Sequence, residues 1–359
     1  MPKFKVGVLG ATGMVGQRFV SLLDGHPWFR VVAVAASPRS AGKKYGTVVK
    51  ARWAVPGKKV PAAVKNLVVL NVNEIEKIKG QVDFVFSALD MPKDKIRDLE
   101  DAYAKADVPV VSNNSAHRWT PDVPMIMPEV NPEHIELIKT QRKKRGWKKG
   151  LIAVKPNCSL QSYLLAVHAL RKFKPTKLII TTMQAISGAG KTFDTFPEII
   201  DNVIPNIGGE EEKSEREPMK ILGKLKNGRI IEEKKLKISA HCNRVAATDG
   251  HMATVSIEFA KKPTEKQILA AWKSFQGVPQ KLNLPSAPKP PLIYLKDDFR
   301  PQTRLDRDAG KGMAATIGRL RKCLVLDYRF VCLSHNTVRG AAGGAILVAE
   351  LLAKKGYLK

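Results

Sequence analysis

The sequence predicts a two-domain α/β chain, with a doubly wound parallel sheet in its first half and an α+β second half carrying a mixed or antiparallel sheet. Three observations carry that expectation. At 359 residues the chain exceeds what one hydrophobic core usually serves. An apolar strand pattern opens it and runs at once into Gly10-Ala11-Thr12-Gly13-Met14-Val15-Gly16 and a helical pattern. Strands and helices then alternate as far as Pro156-Asn157, where the pattern changes to Thr- and Ile-rich strands separated by long loops.

Taken in order, residues 3–9 read as a buried strand and the helical pattern after the glycines extends through Leu23. A second strand, residues 31–36, ends in Ser37-Pro38-Arg39-Ser40, and a third, residues 82–87, closes on Ser87 before a helix over 93–105. Strands at 108–112 and 151–154 complete this half. In the second half, residues 159–173 read as a helix and 177–185 as a strand. Residues 186–228 read as a loop-rich stretch holding Glu210-Glu211-Glu212. Strand patterns over 246–259 and 314–333 flank a helix at 265–275 and a proline-rich stretch at 285–291. The Gly- and Ala-rich residues 336–355 suit a long helix packing back onto the first half. The domains expected are therefore 1–157 completed by 335–359, and 158–334.

Composition excludes disordered, collagenous and disulfide-scaffold classes: 44% of residues are hydrophobic and 26% charged. No apolar stretch approaches the roughly 20 residues of a membrane span, and residues 1–10 lack a signal-peptide pattern, so a cytoplasmic address is expected. Lys plus Arg number 61 against 33 acids, a formal +28 that draws in anions without choosing among them. The densest run, Arg142 to Lys149, reads as a solvated helix end, with RNA binding as the alternative. The four cysteines show no metal-ligand spacing, and no metal is expected.

Gly10, Gly13 and Gly16 lie where backbone must bend sharply and approach a pyrophosphate at a helix N-terminus. This marks the first half as a Rossmann-type domain. After the second strand there is no acidic residue for a ribose 2′-hydroxyl. Ser37, Arg39 and Ser40 suit a 2′-phosphate instead, hence NADP(H), a basic surface loop being the bland alternative. Cys158 precedes a helix, whose positive end favours a thiolate. His251, beside Gly250, is the histidine placed to face a cleft, although spacing alone does not bring it to Cys158.

These motifs agree in order with one family. Gly-Ala-Thr-Gly-Met-Val-Gly at 10–16, Ser-Pro-Arg-Ser at 37–40, Ser-Asn-Asn-Ser-Ala-His-Arg at 112–118 and Pro-Asn-Cys-Ser at 156–159 cover the first part. Gln-Ala-Ile-Ser-Gly-Ala-Gly at 184–190, Cys-Asn-Arg-Val with Asp-Gly-His at 242–251, and Asn-Thr-Val-Arg-Gly-Ala-Ala-Gly-Gly at 336–344 cover the rest. Over nearly its whole length the chain resembles the archaeal and fungal aspartate-semialdehyde dehydrogenases.

The resemblance implies NADPH-dependent reduction of L-aspartyl 4-phosphate to the semialdehyde and phosphate, on the route to lysine, methionine, threonine and isoleucine. It implies Cys158 as nucleophile, His251 as general acid and base, and Gln184 orienting the acyl group. Arg244 would hold the substrate carboxylate bidentately and Glu210 its amino group, with Lys213 and Arg118 on phosphate and Asn157 beside the nucleophile. For the cofactor it implies Gly10, Thr12, Gly13, Met14 and Val15, the Ser37-Arg39-Ser40 loop, Ser87, Ser187, Gly188 and Asn336. One departure is Ala246, where the family often has proline. A homodimer or homotetramer is expected, with the second domain's sheet at the interface. The rival readings are malonyl-CoA reductase, N-acetylglutamyl-phosphate reductase, and a basic nucleic-acid-binding module without catalysis.

Overall fold

The computed structural model describes residues 3–358; Met1, Pro2 and Lys359, which the domain boundaries above include, lie outside the described residues. The first half is a six-stranded, wholly parallel sheet of β1 (Phe4–Leu9), β2 (Phe29–Ala36), β3 (Leu70–Asn71), β4 (Phe84–Ser87), β5 (Val110–Ser112) and β6 (Ile152–Val154). Its order is β3-β2-β1-β4-β5-β6, which reverses between β1 and β4. Ligands of such sheets bind outside the strand ends at that reversal. The glycine loop follows β1 there. The two-residue β3 was too short to be read from the sequence.

The second sheet has seven strands: β7 (Pro175–Gln184), β8 (Val203–Ile204), β11 (Lys237–Val245), β12 (His251–Phe259), β13 (Leu292–Leu295), β14 (Ala315–Lys322) and β15 (Tyr328–Ser334). A separate hairpin holds β9 (Lys224–Lys226) and β10 (Arg229–Ile231). The large sheet runs β13-β14-β15-β12-β7-β11-β8 and is mixed, since β7 and β11 are parallel, as are β13 and β14. That parallel β7–β11 pair sets Gln184 beside Arg244 in register, with β12 antiparallel on β7's other side.

Several sequence expectations change. The strand pattern read over 246–259 begins only at His251, residues 246–250 being the turn after a strand, β11, that the reading had missed. The pattern over 314–333 divides into β14 and β15. The loop-rich stretch contains a helix, Glu210–Ile221, with Pro218 inside it. Its first turn holds three glutamates at the positive helix end. Pro218 cannot donate to the carbonyl of Ser214, which accepts the Tyr163 hydroxyl instead (3.2 Å).

The last helix starts at Gly343 rather than 336, after a π-type turn over Val338–Ala342 in which Ala341 leaves helical geometry (φ −140°, ψ −106°). Residues 343–352 are all buried. They share a core with Phe19, Phe84 and Phe86 of the first half, Phe19 stacking on Phe86 at 4.6 Å. The run Arg142 to Lys149 is only partly solvated. Arg142 donates to the carbonyls of Lys149, Gly150 and Tyr357, and Arg145 binds Asp101 and Asp122, leaving the four lysines exposed.

Candidate active site

At the nucleotide end, Gly10 takes φ +77°, and a β-carbon there would lie 2.2 Å from the Ala88 carbonyl oxygen. A β-carbon on Gly16 would lie 2.1 Å from the Gly10 oxygen, whereas one on Gly13 would meet nothing nearer than 3.6 Å. The loop is thus folded tightly on itself, and helix Met14–Leu23 begins without a side-chain cap. Its first N–H groups remain available to an anion. The loop's shape is further held by Tyr45, whose hydroxyl donates to the Ala11 carbonyl (2.9 Å), and by Gln17, which donates to the Thr12 and Arg52 carbonyls (3.0 Å each). Sequence reading missed both, because neither lies in a glycine motif.

Thr12, Met14 and Val15 are half-buried at this loop. Beyond β2, Ser37 and Arg39 are exposed and Ser40 is buried; Arg39 has no ion-pair partner among the described residues. Ser87 is buried at the end of β4, accepting from Asn114 Nδ2 (2.9 Å). These residues fit a phosphorylated dinucleotide: a cradle that side chains would fill, a free helix end, and an unopposed guanidinium past β2.

Across the cleft, Ser187 donates to Asp249 (2.7 Å) and accepts from Asn336 Nδ2 (2.8 Å), and Asn336 Oδ1 accepts the Gly250 N–H (2.7 Å). Asp249 also lies 3.7 Å from Arg18 of the first helix. Asp249 therefore ties the Ser187–Asn336 pair to the turn that delivers His251. It was not anticipated, since its partners are scattered along the whole chain.

Cys158 lies in the link between β6 and helix Leu160–Ala169, half-buried. A β-carbon on Gly340 would lie 2.9 Å from its own β-carbon, so the π-type turn is pressed against it. Burial, then the Glu210 carboxylate, push the Cys158 thiol up, against the downward pull of Lys155, Arg118 and Arg244.

Around the sulfur, Asn157 Nδ2 donates to both Glu210 oxygens (2.9 Å each), and Asn157 Oδ1 accepts from the N–H and hydroxyl of Ser159 (2.8 and 2.7 Å). Gln184 Nε2 donates to Glu210 (3.3 Å) and Lys213 Nζ does so at 2.7 Å. Burial would raise the Glu210 carboxyl, but the charge and hydrogen bond of Lys213, with those of Asn157 and Gln184, hold it below its ordinary value. Glu210 is the register the sequence left uncertain, and it is the buried member of the acidic run.

Arg244 is buried and donates one Nη1 bond to the Ala185 carbonyl (2.8 Å), its other N–H groups having no partner among the described residues. Ala185 N–H donates to His251 Nδ1 (3.1 Å), which places the proton of the neutral ring on Nε2. Nε2 is buried without a partner among the described residues, and a β-carbon on Gly188 would meet it at 3.0 Å. Burial, then the Arg244 charge, push His251 down to about 3. The ring thus faces the cleft as a neutral donor, which narrows the acid and base role expected from sequence.

Arg118 stands further back, donating to Glu217 (2.8 Å) and to the Lys155 carbonyl (3.1 Å). With Lys213, Lys93, Arg216 and Ser115 it lines a pocket that Glu212 and Glu217 also border. Glu217 itself accepts the Asn157 N–H (2.7 Å). Glu217 and Lys155 were both missed; Glu217 meets Arg118 across 99 residues, a pairing no local motif records.

Residues 5–138 match the family described as semialdehyde dehydrogenase, NAD binding domain, and residues 167–339 match semialdehyde dehydrogenase, dimerisation domain. An aspartate-semialdehyde dehydrogenase of Archaeoglobus fulgidus is 45% identical over 353 residues, covering 98% of this chain and 99% of the relative. The crystal structure of aspartate semialdehyde dehydrogenase with NADP from Candida albicans superposes with a TM-score of 0.89 at 40% identity, over 99% of this chain and 100% of that one. A malonyl CoA reductase (NADP) of Metallosphaera sedula is 39% identical, covering 99% of this chain and 98% of the relative.

Proposed function

The chain belongs to the semialdehyde dehydrogenase family, and on that premise we propose that it is an NADP-dependent aspartate-semialdehyde dehydrogenase. It reduces L-aspartyl 4-phosphate to L-aspartate 4-semialdehyde and phosphate, the step leading toward lysine, methionine, threonine and isoleucine. The observation that carries the substrate is Glu210, a buried carboxylate kept ionised by Lys213, Asn157 and Gln184, in the same cluster as the free guanidinium of Arg244. An amino-acid substrate presents one ammonium and one carboxylate, and this pair answers both. Malonyl-CoA has no ammonium to answer Glu210.

Cys158 attacks the acyl carbon; the C–S bond forms as the C–O bond to phosphate breaks, and phosphate leaves toward Lys213 and Arg118. His251 Nε2–H donates to the acyl oxygen as negative charge grows there, and Gln184 orients the acyl group. NADPH, held by the glycine loop, the Ser37-Arg39-Ser40 loop, Ser87, Ser187, Gly188 and Asn336, supplies the hydride when bound. The C–S bond then breaks, its electron pair returning to Cys158 as the aldehyde leaves. In this reading residues 1–157 with 335–359 bind the nucleotide, and 158–334 supply the catalytic groups and a homo-oligomeric interface on the seven-stranded sheet. The enzyme works in the cytoplasm.

The test follows absorbance at 340 nm, offering NADP, phosphate and aspartate semialdehyde in one cuvette and NADPH with malonyl-CoA in another. Phosphate-dependent reduction in the first, lost by about 10⁴-fold in Cys158→Ala, is expected. Turnover only in the second would replace the substrate and the role of Glu210. Silence in both, with salt-sensitive RNA retardation, would favour the binding module.

A further inference from the structure

The loop carrying Ser187 and Gly188 is bonded at three points to the turn that delivers His251. Ile186 N–H donates to the Ala247 carbonyl (2.9 Å), Ser187 N–H to the Thr248 carbonyl (3.3 Å) and Ala185 N–H to His251 Nδ1 (3.1 Å). Side chains then close a ring across the pair. Gly250 N–H donates to Asn336 Oδ1 (2.7 Å), Asn336 Nδ2 to Ser187 Oγ (2.8 Å), and the Ser187 hydroxyl to Asp249 Oδ1 (2.7 Å), one residue from where the ring began. Its direction is fixed at both ends, because a backbone N–H cannot accept and a carboxylate cannot donate. Asp249 is 4% exposed, and the nucleotide half reaches it as well, through Arg18 of helix Met14–Leu23 (3.7 Å) and the Thr337 hydroxyl (3.3 Å). Arg307 donates to its carbonyl (3.2 Å). The mechanism above does not use this carboxylate.

We propose that Asp249 is a positioning residue that sets the cofactor seat and the His251 donor together, one shape of the turn serving both. The inference rests on the proposed function, in which Ser187, Gly188 and Asn336 meet the cofactor and His251 Nε2–H meets the acyl oxygen. On the cofactor side, the carboxylate takes the one hydroxyl hydrogen of Ser187. The Ser187 oxygen is then left to accept from Asn336, which fixes which end of the Asn336 amide faces Gly250. On the catalytic side, Asp249 holds the chain two residues before His251, against the loop whose Ala185 N–H keeps the ring proton on Nε2. The same loop leaves Nε2 its room, since a β-carbon on Gly188 would lie 3.0 Å away. Arg18 carries the hold on to the helix whose first N–H groups are proposed for the pyrophosphate, so the nucleotide seat and the ring share one frame.

The test pairs NADPH affinity, from titration calorimetry with no second substrate present, with kcat at saturating NADPH, for Asp249→Ala and Asp249→Asn. Asp249→Ala releases the Ser187 hydroxyl and is expected to weaken NADPH about tenfold and to lower kcat about 10²-fold, a loss that saturation with cofactor does not restore. Asp249→Asn keeps an acceptor for Ser187 and should return kcat to within about threefold of the wild type. A change confined to affinity or confined to kcat overturns the coupling, and so does an Asp249→Asn as impaired as Asp249→Ala. A lowered melting temperature with both constants unchanged would reduce Asp249 to packing and overturn it too. Should Asp249→Ala not fold, Ser187→Ala opens the same ring from the other side and decides alone: both constants are expected to fall, and an unaltered kcat overturns the inference. Wild-type protein that bound no NADPH would remove the function and this inference with it, whereas a wild type that turns over beside an unaffected Asp249→Ala removes the inference alone.

Discussion

The two walls of the cleft are built differently. On the nucleotide wall, the groups we propose to bind the cofactor are backbone N–H groups of a loop whose shape depends on missing side chains at Gly10 and Gly16. On the catalytic wall they are side chains, Glu210, Lys213, Asn157, Gln184, Arg244 and His251, held in place by one another's hydrogen bonds. A main-chain site tolerates any neighbour that leaves the turn intact. A side-chain site built on buried charge fails when one partner goes, because the survivor is left unpaired in low dielectric.

The largest effect expected separates donor from base on the catalytic wall. His251→Ala should lower kcat about 10³-fold, the usual cost of one donor to a developing oxyanion. His251→Gln, which can still present an N–H, should recover about tenfold of that loss. Equal losses in steady-state assays of the two variants would mean that proton transfer, not donation, is what His251 supplies. On the nucleotide wall the contrast lies within one motif. Gly16→Ala forces a β-carbon against the Gly10 oxygen and should raise KM for NADPH about 10²-fold or more, while Gly13→Ala, at 3.6 Å, should change it by no more than about twofold. If both variants bound NADPH alike, the cradle would not be set by glycine geometry.

A smaller effect probes what lies past β2. Arg39 is exposed, so its attraction for a 2′-phosphate is screened, and Arg39→Glu should weaken NADPH about tenfold relative to NADH. Unaltered cofactor preference, measured as the ratio of kcat/KM values, would remove Arg39 from the site.

The same difference decides what was legible in the sequence. Strands and helices alternate through the first half and a glycine loop joins the first pair, so the parallel sheet could be read locally, down to the bounds of helix Lys93–Lys105. Cys158, Gln184, Arg244 and His251 were legible as residues. The meeting of Gln184, Arg244 and His251 was not, because it is made by the parallel register of β7 and β11 and the antiparallel run of β12, which periodicity does not encode. Glu217 and Lys155 gave no signal, and Asp249 stood in the Asp-Gly-His motif without a role, since the partners of Glu217 and Asp249 lie far away in sequence and burial alone makes Lys155 unusual. The helix Glu210–Ile221 did leave one trace, three glutamates at its start.

The smallest expected effect concerns acid, and it falls on the catalytic half and its flanks. Burial holds His251 at about 3 and His168 and His335 at about 4, all below the ordinary value of 6.5. The unfolded chain therefore binds protons on these rings that the folded chain refuses. Stability is complete above about pH 6.5 and is lost as pH falls from there toward about 4, by at most about 1.4 kcal/mol per pH unit for each ring. In a chain of this size that is at most about 2 °C of melting temperature per ring and pH unit. Calorimetry between about pH 7 and 5 should show this decline, to which His117 and His134, also pulled down by burial, add, with a shallower slope in His251→Gln, which removes one ring. The nucleotide loop contributes no such group, since the protein atoms that would face phosphate there are amide N–H groups that do not titrate. A melting temperature flat over that range, or a slope unchanged in His251→Gln, would mean that the ring is not held neutral, and with it the fixed Nε2–H donor would go.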